Sequence, residues 1–516
     1  MLKQQVVRFI APDHEDDSSQ DPDPDSDIES GIRQSSTAEI SSFTSNNHPN
    51  FEVDHNPTPS STQDWASPHQ VVFQNTPIHS SLQQNSLDPH VSASACVSAD
   101  FSPAQSAGQP FSAHPSSPVL HHASSNTASP NYGLNPAWPF KSLHEARLLH
   151  HYIVHLSLQF DSCDKQCHFG KEIPKRAAHY PVIKYAIFAV SSRQMSLLAG
   201  TEDNESPQYV SECLRILIAA LEDPMGHFDE NLLAAIILLR THEEMSDNDE
   251  RCHLFGTTRL LNSIASFAAD GGLRESASWV SLRQHIYISL TSQHPLTINL
   301  TNYRHSHVFQ TSDDESWANR IIFIFARILT YIFRPEDDSE QLSLEQWTEL
   351  DAEVTTWAST KPWHFTPLFM ETVATASPSI SMPSPERKTM PWPELFVCNP
   401  AQVVGLQHYY LAKIVLAVYD PRLSRLGFDS IRFRRTSEDI VRENLRMVIG
   451  LAASNEQVAT AMFQASHILA ACGMYLNNQE EQDAAVDFLM KMNARMGWQT
   501  SHIIRDLKEH WGWGQI

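Results

Sequence analysis

From about residue 138 onward, apolar residues recur at spacings of three and four, the period of one helix face. Leu149, Tyr152, Ile153, Leu156 and Phe160 form the first such stripe. Pro181 opens a second predicted helix, carrying Val182, Tyr185, Ala189 and Leu197. Pro207 opens a third, with Tyr209, Cys213, Ile216, Leu217 and Ala220. Proline suits the first helical turn because no backbone N–H is needed there. Asp229 is placed to cap a fourth helix through Leu232, Leu233, Ile236 and Leu239. A fifth is predicted over 248–269, ended by Gly271-Gly272, and a sixth over 279–290. Ser312 with Glu315, and Ser343 with Gln346, have the spacing of capping boxes for helices running through Phe333 and Trp357.

The densest apolar stretch is 399–421, NPAQVVGLQHYYLAKIVLAVYDP. Asn399 is a helix cap, Pro400 suits the first turn and Pro421 stops the helix. Val404, His408, Leu411, Val415 and Val418 make one stripe; Val403, Leu406, Tyr410, Ile414 and Ala417 make a second beside it. Gln402, Gln407 and Lys413 are left for a polar edge. A helix apolar over most of its circumference belongs at the centre of a bundle. A membrane span needs ~20 nearly uncharged apolar residues, and Gln407, His408 and Lys413 oppose that. Further helices are predicted over 438–453, 458–476 and 483–510, and a long Pro-rich surface loop over 362–400. Strict alternation is almost absent. The predicted fold is all-α: a large irregular multi-helix bundle over 136–516.

The first 135 residues differ in kind. They are rich in Ser, Pro, His, Asn and Gln and show no sustained period. Fifteen Asp/Glu stand against Lys3, Arg8 and Arg33, a balance of −12 out of −24 for the 516-residue chain. Such a composition does not repay the entropy of ordering, so 1–135 is predicted to be a disordered tail. Its acidic run, 13–29, reads as a solvated block or as a recruiting segment for a basic partner; Phe9 is the one aromatic close to it, with Ile10 beside it. A net charge of −24 also opposes binding to phosphate backbones. No signal peptide is expected at residues 1–10, which lead directly into Asp and Glu.

Seven cysteines are scattered at 96, 163, 167, 213, 252, 398 and 472, the pattern of reduced core thiols rather than a disulfide framework. No two are spaced C-x2-C. The sharpest metal constellation is His151-x3-His155 followed by Cys163-x3-Cys167 and His168; against it stands the plainer reading of two surface histidines and a cysteine-bearing loop. His242-Glu243 begins an H-E-x-x-H, but Ser246 stands where the second ligand belongs. Phosphate-cradling glycine motifs and a G-x-S-x-G elbow are absent. No catalytic, cofactor or metal residue is therefore assigned, and no enzyme is expected. One basic cluster stands out: Arg422, Arg425, Arg432, Arg434 and Arg435. It reads either as a nuclear-import or partner patch, or as a loop whose arginines pair with Glu438 and Asp439.

The ordered set HEARLLHHYIVHLSLQFD (144–161), FDENLLAAIILLRTHEEM (228–245), WVSLRQHIYISL (279–290), DDESWANRIIFIFARIL (313–329), the 399–421 stretch and SNEQVATAMFQASHILAACG (454–473) resembles the C-terminal regulatory domain of fungal transcription factors of the zinc-binuclear-cluster class. The resemblance implies an all-helical regulatory domain, a nuclear location and gene regulation, with control of a secondary-metabolite gene cluster as an expectation. The zinc cluster itself needs C-x2-C pairs, which these 516 residues lack. Specific DNA binding by this chain alone is thus not expected; protein partners, either transcription machinery or a DNA-binding regulator, are. The alternative is a helical enzyme or scaffold without a nuclear role.

Overall fold

The structure is a computed structural model. It describes residues 136, 138–222, 229–246, 251–263, 271–334, 343–371, 391–424 and 427–513. The expected tail 1–135 lies outside the described residues, as do residues 372–390 of the expected loop.

The described residues fold as helices, as the periodicity predicts. The long ones are α1 Leu143–His151, α2 Pro181–Ala199, α3 Ser206–Glu222, α4 Glu230–Glu244, α5 Cys252–Ser263, α6 Leu273–Ser292, α7 Asp314–Ile332, α8 Leu344–Thr360, α9 Pro400–Val418, α10 Phe428–Ser454, α11 Ala459–Cys472, α12 Gln479–Met496 and α13 Ser501–His510. Several caps act where the sequence places them. Pro181 sits in the first turn of α2, and Asp229 accepts from the amides of Asn231 and Leu232. Ser343 and Gln346 close a reciprocal capping box, and Asn399 accepts from the Gln402 amide. At α7 the cap is Asp313, which accepts from the Ser316 amide, rather than Ser312. A carboxylate one residue on serves equally well as N-cap. The α12–α13 region is two helices, not one: Gly497 closes α12 at φ +73°, a left-handed conformation that glycine adopts without strain.

Helix α9 is the hub. It packs against α7, α8, α10 and α11, and its residues from Ala401 to His408 are all buried. Gln402 and Gln407, expected on a polar edge, are inside. Gln402 Nε2 donates to Asp314 (2.9 Å), and Gln407 Nε2 donates to the carbonyls of Val448 (3.0 Å) and Ala461 (3.1 Å), tying α9 to α10 and α11. Lys413 does reach a partly exposed edge, where it pairs with Asp351 of α8 at 2.7 Å. Gly405 lets α9 approach α7 closely: a Cβ there would lie 3.2 Å from the Ala318 Cα. Helix α6 joins α9's neighbourhood to the first half of the chain, touching α4, α5, α7 and α11.

The ends of the segment expected as a loop pair as a short antiparallel hairpin, β1 Phe369–Glu371 with β2 Glu394–Phe396. Buried Trp392 and Leu395 fasten it to the body. Asn455 Nδ2 donates to the Leu395 carbonyl at 2.7 Å, and the Leu395 amide donates to Ser454 Oγ at 2.9 Å. No helix among the described residues is long and apolar enough to cross a membrane.

Candidate functional site

Three of the five clustered arginines lie on a helix rather than in a loop. Helix α10 begins at Phe428, ten residues before the expected start, so Arg432, Arg434 and Arg435 belong to its first turns. All three are exposed. They do not pair with Glu438 and Asp439: those carboxylates pair with Arg442 instead, at 3.9 and 2.5 Å. Arg422 is spent structurally. It grips Asp420 through Nε (2.9 Å) and Nη2 (2.5 Å), and its guanidinium lies over the Trp347 ring at 4.9 Å. Arg425 lies outside the described residues. Helical geometry puts Phe428, Ile431, Arg432 and Arg435 on one side of α10. Phe428 is 93 % exposed and Ile431 53 %, so the cations are interleaved with uncovered apolar side chains. The N-terminal end of a helix dipole adds to their positive field.

The metal constellation is not brought together. His151 bonds Gln194 at 2.8 Å, and the His155 ring lies tilted beside it with centroids 4.8 Å apart. Cys163 is buried in the turn Asp161–Cys163, where burial pushes its thiol up to about 12. His168 bonds Asp164 at 2.8 Å. No cluster of three potential ligands occurs among the described residues. His242 meets Ser206 Oγ at 2.8 Å, and Ser206 in turn donates to Asp203. Here the serine bridges histidine and carboxylate, whereas a hydrolytic triad needs the histidine between the other two. Ser206 is also fully buried.

A feature that sequence reading missed is a half-open pocket of about 100 Å³ between helices of the body. Helices α4, α6, α9 and α11 surround it, with the turn Ser157–Phe160 and Trp498 at its margins. Its wall is mixed. Leu411, Phe463 and Trp498 supply apolar surface; Gln159, Gln284 and Gln464 supply amides. Two histidines line it as well. His408 Nδ1 lies 2.8 Å from the Val404 carbonyl, and His467 stacks on Tyr287 with centroids 3.2 Å apart. The only sequence signal was the cluster of polar residues in apolar helices, which the expected polar edge of α9 disguised.

These buried histidines set a pH dependence. Burial lowers His408 to about 4, His285 to about 3 and His467 well below its ordinary 6.5. Between those values and 6.5 the unfolded chain binds more protons than the folded one, so stability falls as pH falls through this window. Asp161, raised to about 7 by burial, and His168, raised chiefly by the Asp164 carboxylate against the opposing effect of burial, act in the opposite sense. His242, lowered to about 4 chiefly by burial, joins the first set, and the lowered histidines outweigh the two raised groups. Going from about pH 7 to about pH 5 is expected to lower the unfolding free energy by an amount on the order of a few kcal/mol, read from urea midpoints.

The described residues present a helical body, an exposed cationic-apolar face and a half-open pocket. Residues 147–372 match the family model described as the fungal specific transcription factor domain. The match supports a transcriptional regulator and agrees with the resemblance read from the sequence. It spans α1 to β1 and ends before α9. No similar curated protein and no similar solved structure was found.

Proposed function

We propose that this protein is a nuclear transcriptional regulator of a fungal secondary-metabolite gene cluster that reaches DNA through a protein partner. The family match over 147–372 is the observation that carries the reading. The absence of C-x2-C pairs from these 516 residues and the net charge of −24 direct it toward a partner rather than toward direct DNA contact. Arg432, Arg434 and Arg435, exposed on α10 beside Phe428 and Ile431, form the surface we assign to partner binding or import. A face of this kind suits an acidic segment with apolar anchors.

In a gel-shift titration at near-physiological salt with competitor DNA, the purified chain is expected to show no sequence-dependent binding. Sub-micromolar specific binding would reverse the assignment of DNA contact to a partner. In the fungal host, a fluorescent fusion is expected in the nucleus, and deletion of the gene is expected to change transcripts of one contiguous gene set. An unchanged transcriptome under producing conditions would overturn the reading.

The combined variant Arg432→Glu, Arg434→Glu, Arg435→Glu is expected to fold with stability within about 0.5 kcal/mol per site, as exposed positions do. Its nuclear accumulation or partner capture is expected to drop at least about tenfold, the size of effect that reversing several close charges has on association. Undiminished import and capture would remove the face from the proposal.

A further inference from the structure

We infer that this half-open pocket is a binding site for a small uncharged molecule: a single-ring, mostly apolar body bearing an amide or hydroxyl group. The observation is a set of unspent hydrogen-bonding atoms in the cavity wall. Gln284, on α6, is 8 % exposed and Gln464, on α11, is 9 %. Gln284 uses its Nε2 on the Ile237 carbonyl and Thr241 Oγ1, at 3.4 and 3.2 Å, and its Oε1 has no partner. Gln464 spends one end of its amide against His408 Nδ1 at 3.3 Å, and the other end has no partner. From the opposite wall, Gln159 Nε2 is buried and likewise unpartnered. Buried polar atoms are almost always paired, and leaving one unpaired costs stability. Three such atoms around one space call for a guest that both donates and accepts.

The rest of the wall sets the guest's character. The rings of Phe463 and Trp498, which pack together with centroids 4.3 Å apart, line the space and give it apolar surface for a ring-sized body. His408 and His467 are held neutral by burial, and the two charged residues in the wall, Arg283 and Glu244, are of opposite type, which leaves no net charge for a ligand to balance. Arg283 lines the space and donates Nη2 to the Phe160 carbonyl at 2.7 Å. Size limits the guest. An apolar cavity of ~150 Å³ admits benzene, and here the volume is about 100 Å³. One substituted ring, with slight movement of the wall, is the upper bound. The site is separate from the arginine face and does not depend on the regulatory reading.

The alternative occupant is water, and the test separates the two. The full chain is titrated with benzamide and 4-hydroxybenzamide, with toluene as the apolar control, and followed by ligand-observed NMR and thermal shift. Saturable binding of the two amides is expected with Kd at or below about 1 mM, and toluene is expected to bind at least about tenfold more weakly. Gln464→Leu, which removes an unpaired atom without reducing volume, is expected to weaken amide binding at least about tenfold. Its thermal unfolding serves as the folding control. If that variant fails to fold, Gln159→Leu at the more exposed margin takes its place, with the same loss expected. Absence of saturation up to about 10 mM, or amide binding unaltered in the folded variant, would overturn the assignment and leave the cavity to water.

Discussion

Replacing Ile414 with Asp is expected to abolish folding of the helical domain. Ile414 is fully buried on α9, the helix that packs against α7, α8, α10 and α11. An aspartate there must either ionise without a partner or hold its proton with unmet hydrogen bonds. Either state costs several kcal/mol, on the scale of the ~5–15 kcal/mol that holds a domain folded. The same change also deletes the isoleucine's own packing, worth another ~2–5 kcal/mol by analogy with large-to-small core substitutions. The readout is soluble yield and cooperative thermal unfolding by circular dichroism. Ile414→Val is the control and is expected to cost only ~0.5–1.5 kcal/mol. A soluble, cooperatively melting aspartate variant would show that α9 is not the hub of the fold.

Gly450→Val is expected to be the second most damaging single change. Gly450 lies in α10, where a residue with φ in the helical range would ordinarily be better served by a side chain. Here the position is closed. A Cβ would overlap the Pro393 backbone carbonyl and stand 3.1 Å from its Cγ. Pro393 cannot simply give way, because the next residues are pinned to the end of α10 through Asn455 and Ser454. Overpacking against fixed backbone costs typically ~1–3 kcal/mol, and more when nothing yields. The hairpin β1–β2 is expected to detach before the helices do. Limited proteolysis near residues 391–396 would then be faster in Gly450→Ala, and faster still in Gly450→Val, than in the parent chain. Equal proteolysis rates with unchanged denaturant midpoints would mean that the strand does not bear on α10 as described.

Much of the fold is legible in the chain because its determinants are local. The stripe Val404, Leu411, Val415, Val418 specifies a helix by period alone. Asn399, Asp229 and the Ser343–Gln346 pair mark starts because a cap bonds amides two or three residues away. Local reasoning fails by one residue at Ser312 and Asp313, two adjacent capping types between which only the turn's geometry chooses. It fails by ten residues at Phe428. The exposed, charged start of α10 has no apolar stripe, and an uncovered helix face leaves no hydrophobic period to read.

What the sequence by itself determined is the helical class, most helix boundaries, the centrality of the 400–418 helix and the absence of C-x2-C pairs. The tertiary structure alone decided which polar residues are interior. Gln407 and Lys413 look equivalent along α9, yet one ties three helices together from within and the other meets Asp351 at the edge. It also decided that Glu438 and Asp439 serve Arg442, leaving Arg432, Arg434 and Arg435 exposed. And it assembled the cavity from Gln159, Gln284 and Gln464, residues up to 305 positions apart in sequence. The physical reason is common to all three. Backbone conformation responds to neighbours within a turn or two, whereas burial, ion pairing and empty space are properties of what other helices bring to the same place.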